Sequence, residues 1–167
     1  MKRKLQSHPD LQEFNLLLES VRKLQFLARK HGIRDVFQDN GGKLLQVLLT
    51  LNLIVIPGRN GNDLKNEENE EFELKTVNSS LTQSFSTHHH MNKTIINKYR
   101  PIPWIFAVYD DIELKEIYRV HPLFMSSFYD KWEEQIEIKN KELNNPKIPL
   151  DFVKQNGNLL WKNEKPL

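Results

Sequence analysis

Apolar residues in the first part of the chain recur with a helical period. Phe14, Leu17, Leu18, Val21, Leu24 and Ala28 fall on one face at spacings of i, i+3, i+4 and i+7. Asp10 takes the N-cap position with Glu13 three residues on, and Arg29, Lys30 and His31 fill a last turn that Gly32 ends. The spacing predicts a long helix within about 8–32. Leu16, Phe26 and Leu27 widen its stripe, which fits either a helix buried on most sides or one covered by a second subunit. A turn cluster, Asp39-Asn40-Gly41-Gly42-Lys43, then leads into a short second helix from about 43 to 51 with Leu44, Leu45, Val47 and Leu48.

Further along the period changes. Residues 53–57 and 71–77 read as adjacent strands with a hairpin connection between them, and 79–87 is polar and loop-like. A helix is predicted over 92–100, ending before Pro101. Residues 103–109 form a near-continuous apolar run, as in a strand buried on both faces, and 112–120 returns as a more exposed strand after Asp110-Asp111. Phe124, Phe128, Trp132 and Ile136 mark one face of a helix over 123–142, which Asn144-Asn145-Pro146 breaks. A short segment near 149–155 and a strand at 158–161 close the chain. The order predicts an α+β fold, a central mixed sheet flanked by helices, in one domain spanning 1–167.

The stretch Asn60 to Lys75, N-G-N-D-L-K-N-E-E-N-E-E-F-E-L-K, carries the candidate chemistry. Alternation along a strand puts Glu73 and Lys75 on one face and Phe72, Leu74 and Thr76 on the other. If the connection folds back, Asp63 joins them. Two carboxylates and a backbone carbonyl suit a magnesium ion that keeps several waters and borrows oxygens from a phosphate, while Lys75 is placed to stabilise charge on an attacked phosphoryl group. The alternative is a solvated acidic turn in which Lys75 only partners Glu73.

Composition narrows the setting. A chain of 167 residues, 38% hydrophobic and 28% charged, suits one soluble domain rather than a disordered chain. A net charge of +2 means that any DNA-facing surface is a local concentration of charge. The absence of cysteine excludes disulfides and thiolate metal sites. Met1-Lys2-Arg3-Lys4 is basic without a following apolar segment, and the apolar stretch 44–56 is too short to span a bilayer. No membrane association and a cytoplasmic location are therefore expected.

Two polar clusters can meet bases. Neighbouring histidines point in different directions, so His88-His89-His90 is not a chelating set, but imidazole can donate to guanine N7 or O6, and Ser86 and Thr87 extend the row. A solvated loop with one packed histidine explains the same residues. Asn144 and Asn145 carry the amide that pairs with adenine N6 and N7, and Pro146 biases Asn145 to an extended backbone. Helix capping before a proline is the alternative there.

Six stretches together carry a resemblance: Ser7–Leu11 (S-H-P-D-L), Phe37–Leu49 (F-Q-D-N-G-G-K-L-L-Q-V-L-L), Phe85–Asn92 (F-S-T-H-H-H-M-N), Pro103–Ala107 (P-W-I-F-A), Tyr129–Glu133 (Y-D-K-W-E) and Asn144–Pro149 (N-N-P-K-I-P). In this order they resemble the PvuII-type restriction endonucleases, over Ser7 to about Gly157. The resemblance implies the PD-(D/E)xK nuclease fold, a homodimer around palindromic double-stranded DNA with the first helix in the dimer contact, and Mg2+-dependent cleavage at CAGCTG to leave blunt ends. It implies Asp63, Glu73 and Lys75 as the catalytic trio, with Asp63, Glu73 and the Leu74 carbonyl on the metal, and Tyr99 near the scissile phosphate. It also implies Ser86, His88, His89 and His90 as the central base-reading strip, Asn144 and Asn145 as the outer pair, and Asp39 approaching from the minor groove. Residues 1–6 form a basic extension, 132–144 is one residue shorter, the last ten residues do not match, and Asn60 stands where the family carries an acid. A cell holding such an enzyme requires a cognate DNA methyltransferase or an equivalent protection. A DNA-binding relative without catalysis is the competing reading, against which the intact trio argues.

Overall fold

The computed structural model describes residues 8–57 and 63–164. In chain order these form α1 (Leu11–Lys30), α2 (Gly41–Leu51), β1 (Ile54–Val55), β2 (Leu64–Lys65), β3 (Glu71–Asn78), β4 (Ser84–Ser86), α3 (Lys93–Tyr99), β5 (Trp104–Asp110), β6 (Glu113–Val120), α4 (Pro122–Lys139), β7 (Lys147–Pro149), α5 (Leu150–Asn156) and β8 (Asn158–Lys162). Two compact units divide the chain, Met1–Leu45 and Gln46–Leu167, with the boundary inside α2. The basic extension 1–6 and Asn60 lie outside the described residues.

In the first unit α1 follows the apolar period, but its two ends are held differently. Asp10 has helical backbone at the N-cap and its side chain makes no cap bond, so the capping box does not form; a capping oxygen reaches the first-turn amides from an extended N-cap backbone. Its N–H donates instead to His8 Nδ1 at 3.2 Å. At the other end Gly32 takes φ 78°, with its own N–H on Arg29 O and the Ile33 N–H on Ala28 O. This is the double-bonded glycine stop that the sequence predicts. The apolar face itself stays open: Ala28 is buried and Leu18 and Val21 half-buried, whereas Phe14, Leu16, Leu17, Leu24 and Phe26 are exposed. The Gln25 amide pins the following loop, donating to Arg34 O and accepting the Val36 N–H, each at 3.0 Å.

The second unit is built on a six-stranded mixed sheet of order β1-β2-β3-β5-β6-β8, in which only β3 and β5 run parallel. Strand β5 is buried from Trp104 to Tyr109, as its unbroken apolar run predicts. Trp104, Phe106 and Val108 of β5 join Tyr118 and Val120 of β6 in one core with Ile96 and Tyr99 of α3, Met125, Tyr129 and Trp132 of α4, and Leu150 and Val153 of α5. Side chains of this size contribute roughly 1.5–3 kcal/mol each when fully buried, so this cluster holds the sheet and the three helices together. The amide of Gln46, in the second half of α2, donates to Ile112 O at 2.9 Å and accepts from the Leu114 N–H at 3.1 Å, tying that half to the β5–β6 turn.

Several expectations are corrected. Strands β1 and β3 are not adjacent, because β2 pairs antiparallel with both and lies between them. The buried face of α4 is Met125, Tyr129 and Trp132, while Phe124 is exposed and Phe128 and Ile136 only flank the core. That helix ends at Lys139 rather than 142, because Asn140 takes the left-handed C-cap conformation at φ 48°. The polar stretch 79–87 contains β4, which pairs with β7 in a separate two-stranded sheet, Phe85 opposite Ile148. Phe85 is the anchor: it is fully buried and meets Phe106 edge-on, 4.7 Å between centroids. One apolar residue in a three-residue strand leaves no alternation to read. Among the described residues no helix is long and apolar enough to cross a membrane.

Candidate active site and base-reading surface

Strand β3 carries the centre of the site. Its parallel pairing places Glu73 opposite Trp104, and the Glu73 N–H donates to Pro103 O at 3.2 Å. Glu73 is the buried charged residue of the second unit, 3% exposed, and its Oε1 accepts from both Lys75 Nζ at 2.6 Å and the Tyr99 hydroxyl at 3.1 Å. Tyr99 comes from the last turn of α3 and is itself held by Trp104, edge-on at 5.1 Å. Its backbone carbonyl accepts the Tyr129 hydroxyl at 3.2 Å. The Lys75 ammonium lies 5.6 Å from the centroid of the Trp104 ring. Asp63, exposed just before β2, reaches across so that Oδ2 accepts the Leu74 N–H at 2.9 Å. Asp63, Glu73, Leu74, Lys75 and Tyr99 are thus brought together, although Asp63 arrives from the β1–β2 connection rather than from a β1–β3 hairpin.

The electrostatics oppose a free Glu73 carboxylate. Burial pushes its pKa up, the Lys75 ammonium pulls it down, and the Asp63 charge pushes it up again. Burial, then the Glu73 charge, raises the Tyr99 phenol far above its ordinary range, so Tyr99 stays a neutral donor. A cation between the two carboxylates would reverse the penalty on Glu73. The residues fit such an ion: each carboxylate keeps an oxygen with no protein donor among the described residues, Asp63 Oδ1 and Glu73 Oε2, and the Leu74 carbonyl belongs to the residue that follows Glu73 and whose N–H Asp63 accepts. Among the described residues no group of three or more His, Cys, Asp or Glu could hold a metal, so this ion would complete its shell with backbone, water or phosphate oxygens.

The candidate base readers converge on the small sheet. Met91 and Leu143 exchange backbone bonds, and the Asn145 N–H donates to His88 O at 2.9 Å, which sets the histidine strip beside the asparagine pair. Asn145 is not extended but left-handed at φ 52°. Asparagine tolerates this conformation by bonding locally, and here its Oδ1 accepts the Thr87 N–H at 2.8 Å. Lys147 Nζ donates to Ser86 Oγ at 2.6 Å. His89, His90 and Asn144 line an open cleft with Lys141 and Glu142. Burial, followed by the Lys75 charge, lowers the pKa of His88, so His88 lies within electrostatic reach of Lys75. Asp39 sits in the first unit, exposed, at φ 48° in the turn before α2.

Sequence reasoning missed Glu142, Lys147 and the structural duty of Thr87. Each acts through a bond to a residue more than fifty positions away, which no local spacing reveals. Residues 9–161 of the chain match the family model described as restriction endonuclease PvuII.

Proposed function

The chain belongs to the PvuII restriction endonuclease family and is a type II restriction endonuclease, a hydrolase acting on double-stranded DNA; on that premise we propose that Asp63, Glu73 and Lys75, with Tyr99 behind them, are its catalytic centre. The family generally uses divalent metal ions. Asp63, Glu73 and the Leu74 carbonyl would hold this ion as Mg2+, which would supply Lewis-acid polarisation of a phosphoryl oxygen and acidify bound water. Lys75 brings a fixed positive charge to the attacked phosphoryl group, and the shared Oε1 of Glu73 keeps that ammonium in place before DNA arrives. Tyr99 holds the same oxygen from below, which orients the carboxylate without competing for a proton.

Ser86, His88, His89, His90, Asn144 and Asn145 read base edges in the major groove and Asp39 approaches from the minor groove, with CAGCTG as the site. A palindrome calls for two copies of the chain related by a two-fold axis, each cutting one strand to leave blunt ends. The open apolar face of α1 supplies the contact between copies, because a stripe with Phe14 57% and Leu17 61% exposed is unfavourable in water and favourable against its own mate. The enzyme acts in the cytoplasm beside a cognate DNA methyltransferase that protects the same site.

The observation that carries this reading is the buried Glu73 held by Lys75 and Tyr99 beside Asp63, within reach of His88 on a surface that gathers the polar clusters. Incubating the protein and Mg2+ with random-library DNA and sequencing the fragment ends tests it. Blunt ends at CAGCTG are expected. Staggered ends or another central step would overturn the specificity, and binding without cleavage would return the idle DNA-binding alternative.

A further inference from the structure

We propose that Glu142 decides which base edge His90 reads, by holding the proton of the imidazole on Nδ1 and so leaving Nε2 as a hydrogen-bond acceptor; this rests on His90 being a base contact. The chain of constraint starts in α3. Asn92 caps that helix with its Oδ1, which accepts the Ile95 N–H at 3.1 Å, so the amino end of the same amide is turned to Glu142 and donates to Oε1 at 2.9 Å. The other carboxylate oxygen, Oε2, lies 3.2 Å from His90 Nδ1.

Glu142 is ionised: the Asn92 amide, helped by His90, holds its carboxyl below the usual range. An ionised carboxylate has no proton to give, so the Nδ1 atom of His90 must be the donor. In the neutral ring the second nitrogen then carries a lone pair. His88 is held the opposite way. Its Nδ1 accepts the backbone N–H of His90 at 3.0 Å, which puts the His88 proton on Nε2.

Two histidines of one strip thus present opposite faces, His88 a donor and His90 an acceptor. An acceptor in the major groove meets the amino group of cytosine N4 or adenine N6 and is repelled by guanine, which offers only N7 and O6 there. The position of Glu142 supports this role. A half-exposed carboxylate on a DNA-facing cleft repels phosphates, and both of its oxygens are already engaged by Asn92 and His90.

Nitrogen-15 NMR of the DNA-free protein reads the tautomers directly. His90 is expected as the Nδ1–H form and His88 as the Nε2–H form. In E142Q, Asn92 keeps its donor on the glutamine oxygen, so the glutamine amino group faces Nδ1 and His90 moves to the Nε2–H form; E142D restores the parent signature. Cleavage is then measured on duplexes built on the sequence that the fragment ends report, with each amino-bearing base replaced in turn by its des-amino analogue, pyrimidin-2-one for cytosine or purine for adenine. One replacement should slow the parent enzyme about tenfold, the scale of one hydrogen bond, and that penalty should vanish in E142Q. A parent His90 in the Nε2–H form, a tautomer unmoved by E142Q, or a des-amino penalty that persists in E142Q overturns the proposal. If H90A leaves the library cleavage pattern unchanged, the base-contact reading of His90 itself fails, whatever the tautomers.

Discussion

Asp63 Oδ2 accepts the Leu74 N–H at 2.9 Å, and this bond fixes an exposed carboxylate from a connecting loop onto the central strand. Asp63→Asn keeps an oxygen for the Leu74 N–H and removes only the charge. Cleavage with Mg2+ should fall by roughly 10²–10³, while binding of the cognate duplex, followed by fluorescence anisotropy, survives because the base contacts lie elsewhere. Lys75→Ala should behave alike. Arginine at position 75 should not rescue it, since a planar fork is a poor substitute for a compact ammonium held 2.6 Å from one carboxylate oxygen. A rate within a few fold of the parent for Lys75→Ala would remove this lysine from the centre.

Glu73 gives a pH test without substrate. Its folded-state pKa is raised, chiefly by burial, so the folded protein holds this proton at pH values where the unfolded chain has released it. Stability from this group is therefore highest in acid and declines as pH rises from the ordinary carboxylate range through the raised value. Glu73→Gln mimics the protonated form. In metal-free buffer the variant should gain Tm relative to the parent as pH climbs through that window, with the gap closing again in acid. A gap that does not change with pH would contradict the burial argument. Added Mg2+ should raise the parent more than the variant if the ion binds here.

The face of α1 predicts assembly. Phe14→Glu with Leu17→Glu should convert the protein to a monomer in sedimentation velocity at micromolar concentration. Supercoiled plasmid should then accumulate as nicked circles instead of passing directly to linear product. Because neither side chain is buried in the isolated chain, the fold of each copy should be retained, as read by far-UV circular dichroism. A double variant that still sediments as a dimer would place the contact elsewhere.

Asn145 has a structural end, and the proposed reading of a base falls to the other end of its amide. Its Oδ1 supports Thr87, so Asn145→Ala removes that bond along with any base contact, and a loss of activity would be ambiguous. Asn145→Asp separates the two. The carboxylate still accepts the Thr87 N–H and the left-handed backbone is tolerated, but the amino donor is gone. Discrimination at the outer base pair should drop by about 1–3 kcal/mol with Tm nearly unchanged. Selectivity that stays intact in library cleavage would confine Asn145 to its structural duty.

What the sequence discloses and what it hides follow from the range of the interactions. The face shared by Glu73 and Lys75 depends only on alternation, and β5 only on an unbroken apolar run, so both are legible residue by residue. The glycine stop of α1 is equally local. By contrast β2 is a two-residue strand defined by its partners on both sides, and no pattern in Leu64-Lys65 announces it. The face of α4 keeps Trp132 but turns toward Met125 and Tyr129, which pack in one core with Trp104 and Phe106 of β5. The preference of a residue before proline for extended backbone gives way at Asn145 to a bond with Thr87. The PvuII family pattern brings the proposed reading surface into view, but the Glu142–Asn92–His90 contacts come only from the fold.

The pairing of β4 with β7 joins stretches that α3, β5, β6 and α4 separate in the chain. Closing such a separation costs chain entropy before the core packing of Phe85 and Ile148 can offset it, so the strand pair is expected to form after the intervening elements have packed. With the base readers as proposed, specificity is then expected to be the last property that the folding chain acquires. A ribosome-bound or heat-stressed molecule that has built β3 and β5 but not this strand pair would then hold its carboxylates without the proposed base-reading surface. Hydrogen exchange should find the Phe85 and Ile148 amides opening before those of β5, which makes local melting of this small sheet a route from selective to indiscriminate cutting.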